Sequence, residues 1–176
     1  MTGVSASESR KTRLPMEFST VLPPASREGA LQFALDFAPK MGYDYAKNRN
    51  FVRRGHPDVS RLAPAIRVRL LRESELADIA LEKHGTLARC EKWVQEIHWR
   101  SYWRSWLELR PEIWTRYQND RDALENSLPK AQKRRIEQVE NSASGVEIMD
   151  KFARELVETG FLHNHARMWF AAFWIH

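Results

Sequence analysis

The stretch LARCEKWVQEIHWRSYWRSWLEL, residues 87–109, decides the fold class. Trp93, Glu96, Ile97, Arg100, Arg104 and Leu107 fall on one stripe of a helix, and Trp99, Trp103 and Trp106 fall on a neighbouring stripe at spacings of four and three. Pro111 lies just beyond the last periodic residue, so the spacing predicts a helix from about Leu87 to Leu109. A core helix normally uses Leu and Ile, yet four tryptophans stand here within fourteen residues, with Glu96 and Arg100 on the face of Trp93. Two readings stay open. One is a buried Glu96–Arg100 pair at i, i+4 beside packing tryptophans. The other is a polar ligand site in which planar rings stack on tryptophan, a contact worth roughly 1–3 kcal/mol per base.

Outward from this helix the pattern stays helical. Ser26 can cap a helix whose apolar positions Ala30, Phe33, Ala34 and Phe37 recur until Pro39 and Gly42 stop it. A loop is expected from Tyr43 to Pro57. Pro64 then opens a helical pattern through Ile66 and Leu70, and Ser74 can cap a helix from Glu75 to Lys83 that Gly85 ends. The charged segment from Asn119 to Ser144 reads as a surface connection with a helical turn around Ala131 to Val139. Gly145 to Glu158 and Leu162 to the end form two more helical patterns broken at Gly160. No period-two alternation persists, and no repeat or βαβ unit can be built, so the class is all-α. Residues 1–24, polar and punctuated by Pro15, Pro23 and Pro24, are expected to form a flexible arm ahead of a single domain over 25–176.

Composition bounds the function. The 176 residues suit one core. A single cysteine, Cys90, excludes an internal disulfide framework and a four-cysteine cluster. No apolar run reaches a membrane span and the first ten residues lack an apolar signal core, so a cytoplasmic location is expected. Charge is uneven: Arg49, Arg53, Arg54, Arg61, Arg67, Arg69 and Arg72 face one acid, Asp58, giving that stretch a net +6 against +5 for the whole chain. Arginine without lysine suits phosphate oxygens, although a solvated basic loop would read the same. Near the C-terminus His163, Asn164, His165 and Arg167 cluster after Gly160; two histidines two apart point to opposite sides of a helix, so no metal site is expected. No nucleophile elbow, GxGxxG or P-loop is present.

Three segments, in order, resemble the helical FAD-binding domain of the DNA photolyase and cryptochrome family. Tyr45-Ala46-Lys47-Asn48-Arg49-Asn50-Phe51, followed by Val59-Ser60-Arg61-Leu62-Ala63-Pro64, is similar to the family's Tyr…Arg…Phe stretch and its Thr-Ser-x-Leu-Ser-Pro phosphate loop. Glu91 to Trp103 resembles its Glu-x-x-Trp-Arg-x-(Phe/Tyr) helix. Gly145 to Met168, ending Thr159-Gly160-Phe161-Leu162-His163-Asn164-His165-Ala166-Arg167-Met168, resembles its Thr-Gly-(Trp/Tyr)-x-His-Asn-x-x-Arg-Met run. Together they cover roughly residues 43–176.

The resemblance implies a flavoprotein with FAD as chromophore and the first half of that domain as its fold. Tyr45, Ser60, Arg61 and Leu62 would hold the pyrophosphate, Trp93 would line the cofactor cavity with Arg100 in the same polar strip, and Asn164 and Arg167 would lie beside the flavin ring. Glu96 and Trp99 would bond to and stack on a pyrimidine dimer flipped out of DNA. With Asn164 they form the expected catalytic set of a lyase acting in DNA repair, driven by light through reduced FAD. A cryptochrome-like photosensory or DNA-binding module without repair, or an inactive fragment, are the alternatives. Val59 and Ala63 replace family hydroxyl residues, removing two possible hydrogen bonds of about 0.5–1.5 kcal/mol each. The family continues beyond the position of His176 with further flavin-pocket residues. The chain is therefore expected to be truncated at that end, to leave Trp93, Asn164 and Arg167 open, to self-associate through the apolar residues 168–176, and to bind FAD weakly or not at all.

Overall fold

The computed structural model describes residues 20–175, and among them helices account for all regular structure. In chain order these are α1 (Arg27–Phe37), a 3₁₀ turn (Ala38–Lys40), α2 (Tyr43–Asn48), α3 (Ala63–Arg67), α4 (Glu73–His84), α5 (Leu87–Glu108), α6 (Pro111–Ser127), α7 (Lys130–Glu140), α8 (Glu147–Thr159) and α9 (Asn164–Ile175). The all-α class expected from periodicity holds. So does the cap of α1, where Ser26 Oγ accepts from the Gly29 N–H at 3.1 Å. Gly85 and Gly160 end α4 and α8 with φ of 80° and 68°, in the left-handed region where a Cβ is strained. Most of the expected N-terminal arm lies outside the described residues. At its end, Thr20 Oγ1 donates to Glu155 at 2.9 Å.

Three expectations need correction. The loop expected from Tyr43 contains α2, a short helix without a fully buried residue and so without an apolar period to read. Helix α4 is capped at Arg72, whose N–H donates to Glu75 Oε2 at 2.8 Å, two residues before Ser74. The Asn119–Ser144 connection is mostly helical. Helices α6 and α7 bury no residue, so no stripe marks them; helix-favouring Glu, Lys, Gln and Arg with i, i+4 pairs such as Arg116–Asp120 suffice on a solvated surface.

Two clusters make the core. The larger joins Ala30, Ala34 and Phe37 of α1 to Leu76 and Ala80 of α4 and to Cys90, Trp93 and Ile97 of α5, with Met41, Leu62 and Leu71 sealing it from the connections. The smaller holds Phe152, Leu162 and Ala166, and Val52 packs against it, so the basic loop after α2 is clamped beneath α8 and α9. Gly42 backs onto α4: a Cβ there would lie 2.7 Å from the His84 ring, which itself bonds to the Ala38 carbonyl at 3.0 Å. Gly42→Ala is expected to displace His84 and destabilise the chain by about 1–3 kcal/mol in a urea titration.

Candidate functional site

Helix α5 changes character halfway. Its first three turns bury Cys90, Trp93 and Ile97, while from His98 to Glu108 every residue is exposed except the half-buried Trp106. Trp93 belongs wholly to the core: it is 2% exposed, its ring lies edge-on to Tyr45 at 5.1 Å and tilted to Phe37 at 5.7 Å, and its Nε1–H donates to the Leu76 carbonyl at 3.4 Å. The expectation that Trp93 lies open is corrected, because α1, α2 and α4 cover it. Trp99 stands out at 47% exposure, stacked on Trp103 at 6.3 Å and edge-on to Tyr102 at 5.3 Å.

Glu96 also departs from the first reading. Its partner is not Arg100, which is exposed, but Lys92 at 2.9 Å and, from α2's end, Arg49 Nε at 3.4 Å. Arg49 also donates through Nη1 to the Ala46 carbonyl at 2.7 Å, which fixes its guanidinium toward α5. Tyr45 lies half-buried between them, and burial together with the Glu96 charge pushes its phenol well above the ordinary value.

The loop after α2 is built on itself. Gly55, His56 and Arg61 all have positive φ, and Arg61 Nη1 donates back to the Gly55 carbonyl at 3.2 Å while its guanidinium lies 5.1 Å over the Phe33 ring. Burial lowers the Arg61 pKa from its usual value, and Arg61 Nε is buried without a partner. Ser60 Oγ accepts from the Leu62 N–H at 3.4 Å, a long bond, and the Leu62 side chain is sealed in the core. A turn with a weakly held amide, a free hydroxyl donor and an orphaned guanidinium N–H fits an anionic oxygen. Charge on this segment is partly paired: Arg53 meets Asp58 at 2.7 Å and Arg69 meets Glu73 at 3.1 Å, whereas Arg54 and Arg67 are exposed.

At the other end of the chain, Asn164 is exposed at the first turn of α9. Arg167 turns back, its N–H bonding to the His163 carbonyl at 2.9 Å and its Nε to the Leu162 carbonyl at 2.8 Å, so it braces the corner that presents Asn164. Arg49 joins the three segments: its side chain reaches Glu96, and its carbonyl lies beside the His163 ring. Arg49 was read in the sequence only as one of seven basic residues and as the arginine of a motif; nothing local announced that it is the junction. His56 and Glu155 escaped notice altogether, because they meet across 99 residues of chain.

Among the described residues no group of three His, Cys, Asp or Glu side chains could hold a metal, and no helix is long and apolar enough to cross a membrane. The family model described as the FAD binding domain of DNA photolyase matches residues 93–176. The deoxyribodipyrimidine photo-lyase of Streptomyces griseus is 28% identical over 125 residues, which cover 68% of this chain and 26% of that protein. The chain thus spans about a quarter of the length of the curated relative it matches. No solved structure matches. The ordered motifs, the all-helical fold and the matched region make the chain similar to part of the helical FAD-binding domain of DNA photolyase.

Proposed function

We propose that this chain supplies one side of a flavin site in a photolyase-like protein. The observation that carries the reading is the junction at Arg49, which ties Glu96 of α5 to the corner bearing Asn164 and Arg167 beside the loop of Ser60 and Leu62. Ser60, the Leu62 amide and the Arg61 Nε–H would hold the pyrophosphate of FAD, with Tyr45 closing that side. Asn164, Arg100 and Arg167 would face the flavin ring. Reduced flavin under light would supply an electron to a pyrimidine dimer. The chain's own part is to receive that dimer: Trp99 offers a half-exposed ring to an extruded base and Glu96 a carboxylate one turn away. Trp93 acts only through Tyr45, as a packing support.

One observation favours a second reading. Glu96 is already paired with Lys92 and Arg49, so its carboxylate has less to offer a lesion, as a DNA-binding or photosensory module without repair would require. Illuminating the protein, reconstituted with reduced FAD, on dimer-containing DNA separates the two: loss of dimers supports repair, and binding without loss supports the second.

DNA binding itself is expected to rest on the unpaired basic residues. Changing Arg54 and Arg67 together to Ala should weaken duplex binding and reduce the slope of log affinity against log salt by about 2, one for each lost phosphate contact. An unchanged slope would reduce the basic loop to a solvated surface. A last expectation concerns α9, whose Met168, Trp169, Trp174 and Ile175 are 62%, 48%, 39% and 75% exposed. Such a patch should drive self-association, seen as a rising sedimentation coefficient between micromolar and hundred-micromolar protein, and Trp169→Glu with Ile175→Glu should abolish it.

A further inference from the structure

A buried polar junction lies between the two halves of the proposed flavin site. His56, on the loop leading into Ser60–Leu62, and His163, immediately before Asn164, face each other with ring centroids 5.5 Å apart and exposures of 3% and 1%. Glu155 of α8 completes it: at 5% exposure it accepts from His56 Nε2 and from Thr20 Oγ1. Phe161 packs against the His56 ring at 5.1 Å.

Hydrogen-bond accounting fixes the tautomers. His163 Nδ1 accepts from the His165 N–H at 3.1 Å, so the neutral ring carries its proton on Nε2, which makes no bond of normal geometry. His56 donates through Nε2 to the carboxylate, which leaves its buried Nδ1 as a bare lone pair. A second proton on the His163 ring would break the bond from His165 that shapes the start of α9.

We propose that His56, Glu155 and His163 are positioning residues of the cofactor site, holding the Ser60–Leu62 turn against the Asn164–Arg167 turn at neutral pH and releasing the two from each other in acid. This deepens the flavin reading and rests on it for the identity of the ligand. The mechanical links are short. The Val59 N–H bonds to the His56 carbonyl at 3.4 Å and Arg61 to the neighbouring Gly55 carbonyl, while Arg167 is bonded to the carbonyls of Leu162 and His163.

The charged and titratable groups around the junction agree on direction. Burial, then His56 and His165, push the His163 pKa down to about 4, against the opposing influence of the Arg49 carbonyl and Glu155. Burial works to raise the Glu155 carboxyl, but bonds from His56 and Thr20 and the charge of Lys151 hold it below its usual value. A histidine whose folded value lies below its unfolded 6.5 makes its full contribution above that value and loses it as pH falls from 6.5 toward 4. The Glu155 contribution, depressed in the same sense, is lost only as pH falls below the ordinary carboxyl value of 4.5.

Amide hydrogen exchange on the whole chain, corrected for intrinsic rates at pH 7.5 and pH 5, tests this. The wild type is expected to lose protection about tenfold at both Ser60–Leu62 and Asn164–Arg167 in acid, while His163→Gln, which cannot titrate, loses less than about threefold. His56→Gln, keeping a donor to Glu155, serves if His163→Gln does not fold. FAD affinity over the same pH range is the second readout, expected to fall in parallel in the wild type and to stay nearly flat in the variant. Acid loosening of equal size in wild type and variants, or loosening confined to one of the two turns, overturns the positioning role. Parallel loosening without FAD binding at any pH would overturn the flavin reading and leave the junction standing.

Discussion

Trp93→Ala is expected to lower the free energy of unfolding by about 3–5 kcal/mol, enough to unfold much of the chain at 37 °C. The ring fills the space between α1, α2 and α4, and removing it leaves a cavity beneath Tyr45 and Phe37 and gives up the Nε1–H bond to the Leu76 carbonyl. Trp93→Phe keeps most of the volume and should cost about 1–3 kcal/mol. Urea denaturation followed by circular dichroism measures both. A wall of an open cofactor cavity behaves differently: truncating it would change ligand affinity with stability altered by less than about 1 kcal/mol. A large loss of stability therefore assigns Trp93 to the core, and a small one returns it to the cavity.

Trp99→Ala should show the opposite profile. The ring is half-exposed and its ring partners, Tyr102 and Trp103, lie on its own helix, so stability should move by less than about 0.5 kcal/mol. Affinity for dimer-containing DNA should fall by about 1–3 kcal/mol, roughly 5- to 150-fold, because an extruded base loses its stacking platform. Intact duplex, held by phosphate contacts, should be nearly unaffected. Fluorescence anisotropy with the two DNAs at one salt concentration measures the difference. Equal losses on both would assign Trp99 to general nucleic-acid contact rather than to a flipped base.

These two tryptophans show what could be read in the sequence and what could not. Helical spacing placed α5 within a residue of its ends and found both a core stripe and an unusual aromatic stripe. Spacing cannot say which stripe faces inward when both are aromatic, and it placed Glu96 with Arg100 because i, i+4 partners are the ones a sequence displays. Lys92, at the other i, i+4 position, and Arg49, brought in by α2, took that role. Helix α1 was legible because its cap, its stripe and its stop agree. Helices α6 and α7 were not, since a helix that buries nothing leaves no period.

The candidate site was legible through short motifs, each an ordered run of residue types; the structure puts Ser60 in the loop before α3 and Asn164 and Arg167 at the start of α9. The groups that hold these runs together were silent. His56 and Glu155, or Arg49 and Glu96, are single residues tens of positions apart, and only the fold makes them neighbours.

The most direct test of the flavin reading is a calorimetric titration of the purified chain with FAD and, separately, with riboflavin, which shares the ring but lacks the pyrophosphate. Saturable one-to-one binding of FAD is predicted, with riboflavin at least about tenfold weaker, since charge-assisted bonds to the pyrophosphate are worth roughly 1.5–3 kcal/mol. Ser60→Ala should narrow that gap. No saturable FAD binding up to about 1 mM, or equal binding of both compounds, would contradict a pyrophosphate site at Ser60–Leu62.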